Sequence, residues 1–312
     1  LMNRCLSPVA CFALVFAVSA AVGCGDSDGD TSGGGASGTT SSGQTTTGTG
    51  ATSGTGNTSS SSTGYPECDE PTPLPGAADD VDVSNVQGTA RDEANMPIAS
   101  TTFQLCGTDL CLTASTNTLG GAVFMNSQST LDRPLFKPGD SLTFAKFGYP
   151  YTAGSPSPLI GIFPRMVDST ADLVPGSTVS VAGASLALPA GGGFSFDELT
   201  FDSPEKRTFR AAQVPENLVE QVTGDASFVM AYALGPIDTL LCPEAQLTVD
   251  NYANLPAGTQ VEFWAQEVSI EEFFGGYGEW VKLDDGEVSA DGTTVSTSVG
   301  LPVILNVAIR PL

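Results

Sequence analysis

The segment Ser203-Pro204-Glu205-Lys206 is a candidate nucleophile motif. It fits the S-x-x-K pattern, in which a lysine one helical turn after a serine can take the proton of the serine hydroxyl. However, the segment lies in an apparent hairpin loop between two strand-like runs, and no K-T-G element follows it. We therefore interpret it as a surface turn and predict no catalytic residue there.

Three pairs of adjacent carboxylates are candidates for acid/base chemistry or calcium binding: Asp79-Asp80, Glu271-Glu272 and Asp284-Asp285. Adjacent side chains on a strand point to opposite faces of the sheet, so most of these pairs cannot converge on one atom. We interpret them as solvated charge, and calcium binding at one such loop is the alternative.

The chain contains no histidine. A Ser-His-Asp triad, a Cys-His dyad, a His-ligated zinc and a histidine general base are therefore all excluded.

The chain is strongly acidic. It contains 11 Lys and Arg but 35 Asp and Glu, which gives a net charge of −24. Such an acidic surface repels nucleic acid and argues against polybasic attachment to a membrane. We predict a protein that is not an enzyme and has no cofactor, no metal site and no nucleic-acid partner.

A glycine-rich loop over residues 273–280 contains four aromatic residues: Phe273, Phe274, Tyr277 and Trp280. Exposed rings of this kind stack on sugars or anchor a protein partner. The alternative is that these rings fold inward as core. If they are exposed, this loop is the first choice for a ligand site.

The first residues have the pattern of an export signal. Arg4 precedes an apolar run from Val9 to Val22, which is short for a membrane span and ends in small residues. With Ala21-Val22-Gly23 before Cys24, the segment resembles a bacterial lipoprotein signal. That resemblance implies acylation of Cys24 after cleavage and, because Gly25 follows, delivery to the outer membrane. The alternatives are a plain signal peptide cut nearby and an uncleaved anchor.

A polar tract follows the leader. From Thr31 to Gly64 the chain contains only Ser, Thr, Gly, Ala, Gln44 and Asn57, so nothing there can anchor a core. Without apolar area to offset the ordering entropy, we expect this tract to be disordered. A flexible coil of this length has an end-to-end distance of about 30–35 Å, enough to hold a domain away from a lipid surface.

Four cysteines follow the tract: Cys68, Cys106, Cys111 and Cys242. An even number in an exported chain predicts disulfides, and four cysteines allow three connectivities. Cys106 and Cys111 flank a short turn between strand-like runs, so we pair them across a hairpin, which leaves Cys68 for Cys242. Metal binding by these thiols is the competing interpretation, but the C-x₄-C spacing is loose and no histidine is present.

Short apolar runs separated by turn residues predict strands throughout the remainder. Examples are Leu142–Phe147, Phe228–Leu234, Val261–Trp264 and Val303–Ile309. Helical spacing occurs only over Glu216–Val222, and that segment is short.

Two resemblances accompany this pattern. Gly88–Asp92, Asn95–Ala99, Phe103–Leu105, Thr116-Asn117 and Gly120–Phe124 together resemble the carboxypeptidase regulatory-like domain, a small transthyretin-like β-sandwich. The name refers to an accessory domain beside zinc carboxypeptidases, whose metal needs histidines that this chain lacks.

The later turn residues resemble a ZU5-like β module. They are Pro189–Gly191, Gly235-Pro236, Leu241–Pro243, Leu255–Thr259 and Val288–Gly292. Some members of that family cleave themselves at a His-containing tripeptide, and without histidine we expect no such cleavage here.

We therefore predict an all-β protein with two consecutive β-sandwich domains. The expected divisions are a lipoprotein signal peptide (1–23), a disordered linker (24–67), a carboxypeptidase regulatory-like sandwich (68–155) and a ZU5-like sandwich (156–312). The expected function is non-catalytic binding or adhesion by a monomer. It would be held by its lipid anchor at the outer membrane or cell surface, with a protein or glycan as ligand. The alternatives are a structural envelope or assembly component and an accessory protein of an extracellular hydrolase system.

Overall fold

The fold is seen in a computed structural model that describes residues 68–76, 78–125, 130–196 and 201–312. The leader, Cys24 and the polar tract lie outside these residues, so the predictions made for them are not tested by the structure. Every described residue belongs to one compact unit. Within the described part of the chain no helix has the length and apolar character needed to cross a membrane.

The described residues are mostly strand, and this confirms the all-β class. The strands, in chain order, are β1 Asp80–Asp82, β2 Asn85–Arg91, β3 Thr102–Cys106, β4 Cys111–Ser115, β5 Gly121–Met125, β6 Thr130–Asp132, β7 Leu135–Pro138, β8 Tyr149–Pro150, β9 Leu159–Ile162, β10 Val167–Asp172, β11 Thr178–Val181, β12 Ala184–Ala187, β13 Gly193–Ser195, β14 Thr208–Gln213, β15 Met230–Gly235, β16 Thr239–Asp250, β17 Gln260–Gln266, β18 Trp280–Val288, β19 Thr294–Thr297, β20 Leu301–Ile304 and β21 Val307–Pro311. Two 3₁₀ turns, Pro204–Lys206 and Glu216–Leu218, and one α-helix, α1 Val219–Thr223, complete the described elements.

The strands before residue 163 form three small sheets. Their strand orders are β1-β6, β5-β2-β9 and β4-β3-β7-β8. In β2 buried and more exposed residues alternate, as a strand with one face on the core requires. Gly88 of β2 leaves room for a neighbouring ring, because a Cβ there would lie 2.8 Å from Phe136 Cζ.

The later strands form one large sheet of twelve strands. Its main path runs β10-β14-β15-β21-β17-β18-β19-β16-β12-β11, and the two ends β10 and β11 contact each other, so the sheet is nearly closed. The twelve-residue strand β16 also pairs with β13 and β20. Strand β15 is buried along its whole length, because its alternate side chains, Met230, Tyr232 and Leu234 on one face and Ala231 and Ala233 on the other, enter two different hydrophobic clusters.

Two predicted strands differ from the structure. Leu142–Phe147 is irregular apart from a single bridge between Phe144 and Arg165, because the Asp140 carboxylate accepts the backbone N–H of Leu142 and the hydroxyl of Thr143 and fixes a turn. The predicted strand Val303–Ile309 is interrupted at residues 305–306, and its two halves, β20 and β21, pair with different strands. The short helix predicted over Glu216–Val222 is present as a 3₁₀ turn followed by α1.

The cysteines lie in the predicted pairs. Cys68 is at disulfide distance from Cys242 in β16, and Cys106 in β3 is at disulfide distance from Cys111, its partner in β4. The domain boundary at residue 155 stays a prediction. One hydrophobic cluster includes Phe103 and Phe147 on one side of that boundary and Phe228 and Ala308 on the other.

The two disulfides should differ in their contribution to stability. Cys68–Cys242 closes a loop with a sequence separation of 174, whereas Cys106–Cys111 has a separation of 5. By the chain-entropy relation, the double variant Cys68→Ser/Cys242→Ser should lose about 5 kcal/mol of unfolding free energy and Cys106→Ser/Cys111→Ser about 2 kcal/mol. Urea denaturation of both variants measures the difference, and equal losses would contradict the prediction.

Candidate functional site

A cavity of about 470 Å³ opens where the small sheets meet the large one. Its walls combine charged and aromatic side chains, among them Lys137, Lys146, Asp238, Glu267, Phe273 and Phe274. The chain has only four lysines, at positions 137, 146, 206 and 282, so half of them line this one cavity. In a protein with a net charge of −24, this concentration of lysines marks the cavity as the candidate site.

Lys137 is the most deeply placed of these lysines. All four residues of β7 are buried, and Lys137 is only 4% exposed. Its Nζ donates hydrogen bonds to the carbonyl of Val268 at 3.2 Å and to the hydroxyl of Tyr277 at 2.8 Å. The Tyr277 hydroxyl in turn donates to the carbonyl of Cys106 at 3.3 Å. The lysine is therefore held by neutral acceptors.

Burial lowers the pKa of Lys137 to about 7. The positive charge of Lys146 acts in the same direction, whereas Asp238, Glu267 and Glu271 oppose it. Desolvation lowers the pKa of Lys137 by more than the three carboxylates raise it, because burial disfavours the charged ammonium form. Near neutral pH the uncharged amine form of Lys137 is therefore far more populated than that of an ordinary lysine.

Glu267 is the buried carboxylate of the cavity. It follows β17, is 1% exposed and accepts the backbone N–H groups of Ser269 at 3.0 Å and Phe274 at 3.1 Å. Burial raises its pKa to about 7, although these two hydrogen bonds favour the charged form. The cavity thus contains an acid and an amine that both titrate near neutrality, an arrangement common at functional sites.

The loop of residues 267–279, which connects β17 to β18, covers this part of the cavity. Arg133, just after β6, anchors it through a two-point ion pair with the buried carboxylate of Glu272. Glu272 also accepts the backbone N–H of Tyr277 at 2.8 Å. The hydrogen bond from Arg133 holds the pKa of Glu272 below its usual value. These contacts hold the loop over β7.

The four aromatic residues predicted as a ligand loop separate into two pairs. Phe273 and Phe274 are partly buried and line the cavity. Tyr277 is buried against Lys137, and Trp280 packs 6.4 Å from Phe147 and 5.6 Å from Phe228, measured between ring centroids. Only the two phenylalanines are thus placed to contact a ligand in the cavity.

Of the other candidate groups, Lys206, Asp284 and Asp285 are held by contacts within the protein. Lys206 forms an ion pair with Asp202 at 2.7 Å in a 3₁₀ turn. Asp284 accepts the backbone N–H groups of Val299 and Gly300, and Asp285 pairs with Lys282 at 2.8 Å. Across the described ranges there is no group of three or more Cys, Asp or Glu side chains suited to hold a metal ion.

No family model, curated protein or solved structure matches this chain. The resemblances to the carboxypeptidase regulatory-like domain and to ZU5 therefore stay predictions. The evidence for a site comes from the cavity itself, with its buried amine, its buried carboxylate and its two phenylalanines.

The shifted pKa values of Glu267 and Lys137 predict how the stability of the protein depends on pH. The folded-state pKa of Glu267 is raised from 4.5 to about 7, so its contribution to the unfolding free energy falls as pH rises through that range. The folded-state pKa of Lys137 is lowered from 10.5 to about 7, so its contribution rises from pH 7 upward. Together the two groups should give a minimum in stability near pH 7.

The substitution Glu267→Gln tests the predicted fall in unfolding free energy between pH 4.5 and 7. Ser269 and Phe274 donate to different oxygens of Glu267, so the single amide oxygen of Gln can keep only one of these two hydrogen bonds. Gln does not titrate, so this loss is the same at every pH. Relative to the variant, the wild type should lose about 3 kcal/mol of unfolding free energy between pH 4.5 and 7. Urea denaturation at several pH values measures this difference, and a difference that does not change with pH would contradict the assigned role of Glu267.

Proposed function

We propose that this chain is an exported, lipid-anchored binding protein without catalytic activity, which takes up a small glycan-type ligand in the Lys137 cavity. The observation that supports this proposal is the cavity of about 470 Å³, a volume within the range of about 300–1,000 Å³ found for small-molecule sites.

The lining of the cavity suits a sugar. Phe273 and Phe274 offer apolar surface to the face of a sugar ring. Lys146, Asp238 and Glu271 supply charged groups that hydrogen-bond to hydroxyl groups. The protein's strong negative charge does not repel such a ligand as it repels a nucleic acid.

Ligand binding can be tested with the mature protein and a panel of hexoses, hexosamines and uronic acids, using isothermal titration calorimetry. For the sugar that binds best, Phe273→Ala and Lys146→Gln should each weaken binding about 10-fold, or about 1.4 kcal/mol. Lys206→Gln changes a lysine outside the cavity and serves as the matched control. No saturable heat with any sugar, or equal affinity in all variants, would overturn the proposal.

The anchor forms the second part of the proposal. A leader that ends at Gly23 and a lipid on Cys24 would hold the β region at the outer membrane or cell surface. Oxidising surroundings outside the cytoplasm also suit the two cysteine pairs at disulfide distance.

Acylation is tested by growing expressing cells with radiolabelled palmitate and isolating the protein. Cys24→Ala should abolish the label, because no other cysteine follows the lipobox directly. Cys11→Ala, in the apolar run of the leader, is the matched control and should keep the label. Label that persists in Cys24→Ala would remove the anchor from the proposal.

A further inference from the structure

The two hydrogen bonds of the Lys137 side chain are compatible with a neutral amine. A neutral amine has two N–H groups and one lone pair. The carbonyl of Val268 and the hydroxyl of Tyr277 are two acceptors for the two N–H groups. The Tyr277 hydroxyl donates its own hydrogen to Cys106, so its oxygen is available to accept from Lys137. One tetrahedral position of Nζ is left, which holds the lone pair in the neutral form and a third N–H in the ammonium form.

The Lys137 side chain borders a cavity and is not surrounded on all sides by closely packed core. Lys137 is buried from bulk solvent and yet lines the 470 Å³ space together with Lys146, Glu267 and Phe274. The charged and titratable groups that act on it are Lys146, Asp238, Glu267, Glu271 and the hydroxyl of Tyr277. A desolvated lysine in a pocket is the typical setting for a nucleophilic amine.

We propose that Lys137 binds a small aldehyde or ketone in this cavity as a reversible imine. The inference rests on the cavity of the proposed function and narrows its ligand to compounds with a free carbonyl group, such as an open-chain sugar.

The reaction is balanced without a further reactant. The Nζ lone pair forms a bond to the carbonyl carbon, and a proton moves from nitrogen to the former carbonyl oxygen, which gives a carbinolamine. The carbinolamine loses its hydroxyl group and the second N–H hydrogen as water, and a C=N bond remains. Glu267 lines the same cavity and has a pKa of about 7, so it can supply a proton to the departing hydroxyl and then regain one from nitrogen.

The test is reductive trapping on the intact wild-type protein. Glyceraldehyde and sodium cyanoborohydride are added over a range of pH, and the modified lysines are identified by peptide mass spectrometry. Lys137 should be modified at least about 100-fold faster than Lys282 near neutral pH. An ordinary lysine is then almost fully protonated, and the ion pairs of Lys282 raise its pKa further. Half-maximal modification of Lys137 should occur at about pH 7.

Two variants separate a specific site from general lysine reactivity. Lys137→Arg keeps a cationic donor but cannot form an imine, and it should lose the fast modification. Lys146→Gln removes a positive charge that lowers the pKa of Lys137, so its modification midpoint should move to higher pH. Modification of Lys137 no faster than that of Lys282 would overturn the inference. If sugars still bound in calorimetry, the proposed function would survive that result.

Discussion

Burying the amine of Lys137 is the constraint on which this structure depends. An amine removed from water needs hydrogen-bond partners, and the acceptors for Lys137 are the Val268 carbonyl and the Tyr277 hydroxyl, both in the loop of residues 267–279. That loop must therefore lie over β7. Gln266 acts in the same way just before the loop, because its amide exchanges two hydrogen bonds with the backbone of Gly148. Satisfied polar groups thus join the small sheets to the large one.

A second polar contact also positions this loop. The ion pair between Arg133 and Glu272 fixes the middle of the loop, while Tyr277 fixes its far end against Lys137. Phe273 and Phe274 lie between these two anchors and border open space. The cavity can persist because its wall is held by charged and hydrogen-bonded groups on both sides rather than by apolar contacts alone, which would favour collapse.

The sequence was sufficient for the fold class and for the Cys106–Cys111 pair because both depend on local information, and Cys68–Cys242 then followed as the remaining pair. Alternating apolar residues predict strands such as β2, and a five-residue separation predicts that Cys106 pairs with Cys111. The site could not be predicted in this way. Lys137 occurs as Phe-Lys-Pro in an ordinary strand pattern, and its acceptors are 131 and 140 residues away. The sequence offered one clue to the site: two of the four lysines of the chain, Lys137 and Lys146, lie nine positions apart.

The Cys68–Cys242 bridge also determines how the molecule would carry mechanical load. In the anchored protein that we propose, tension from the membrane arrives at residue 68. Without the bridge it would reach single hydrogen bonds, such as that from the Leu74 N–H to the Glu272 carbonyl, and then β1, a three-residue strand paired only with β6 among the described strands. With the bridge it enters β16, which is paired with β12, β13, β19 and β20. Shear at the cell surface would then be borne by β16, the strand of the large sheet with the most partner strands.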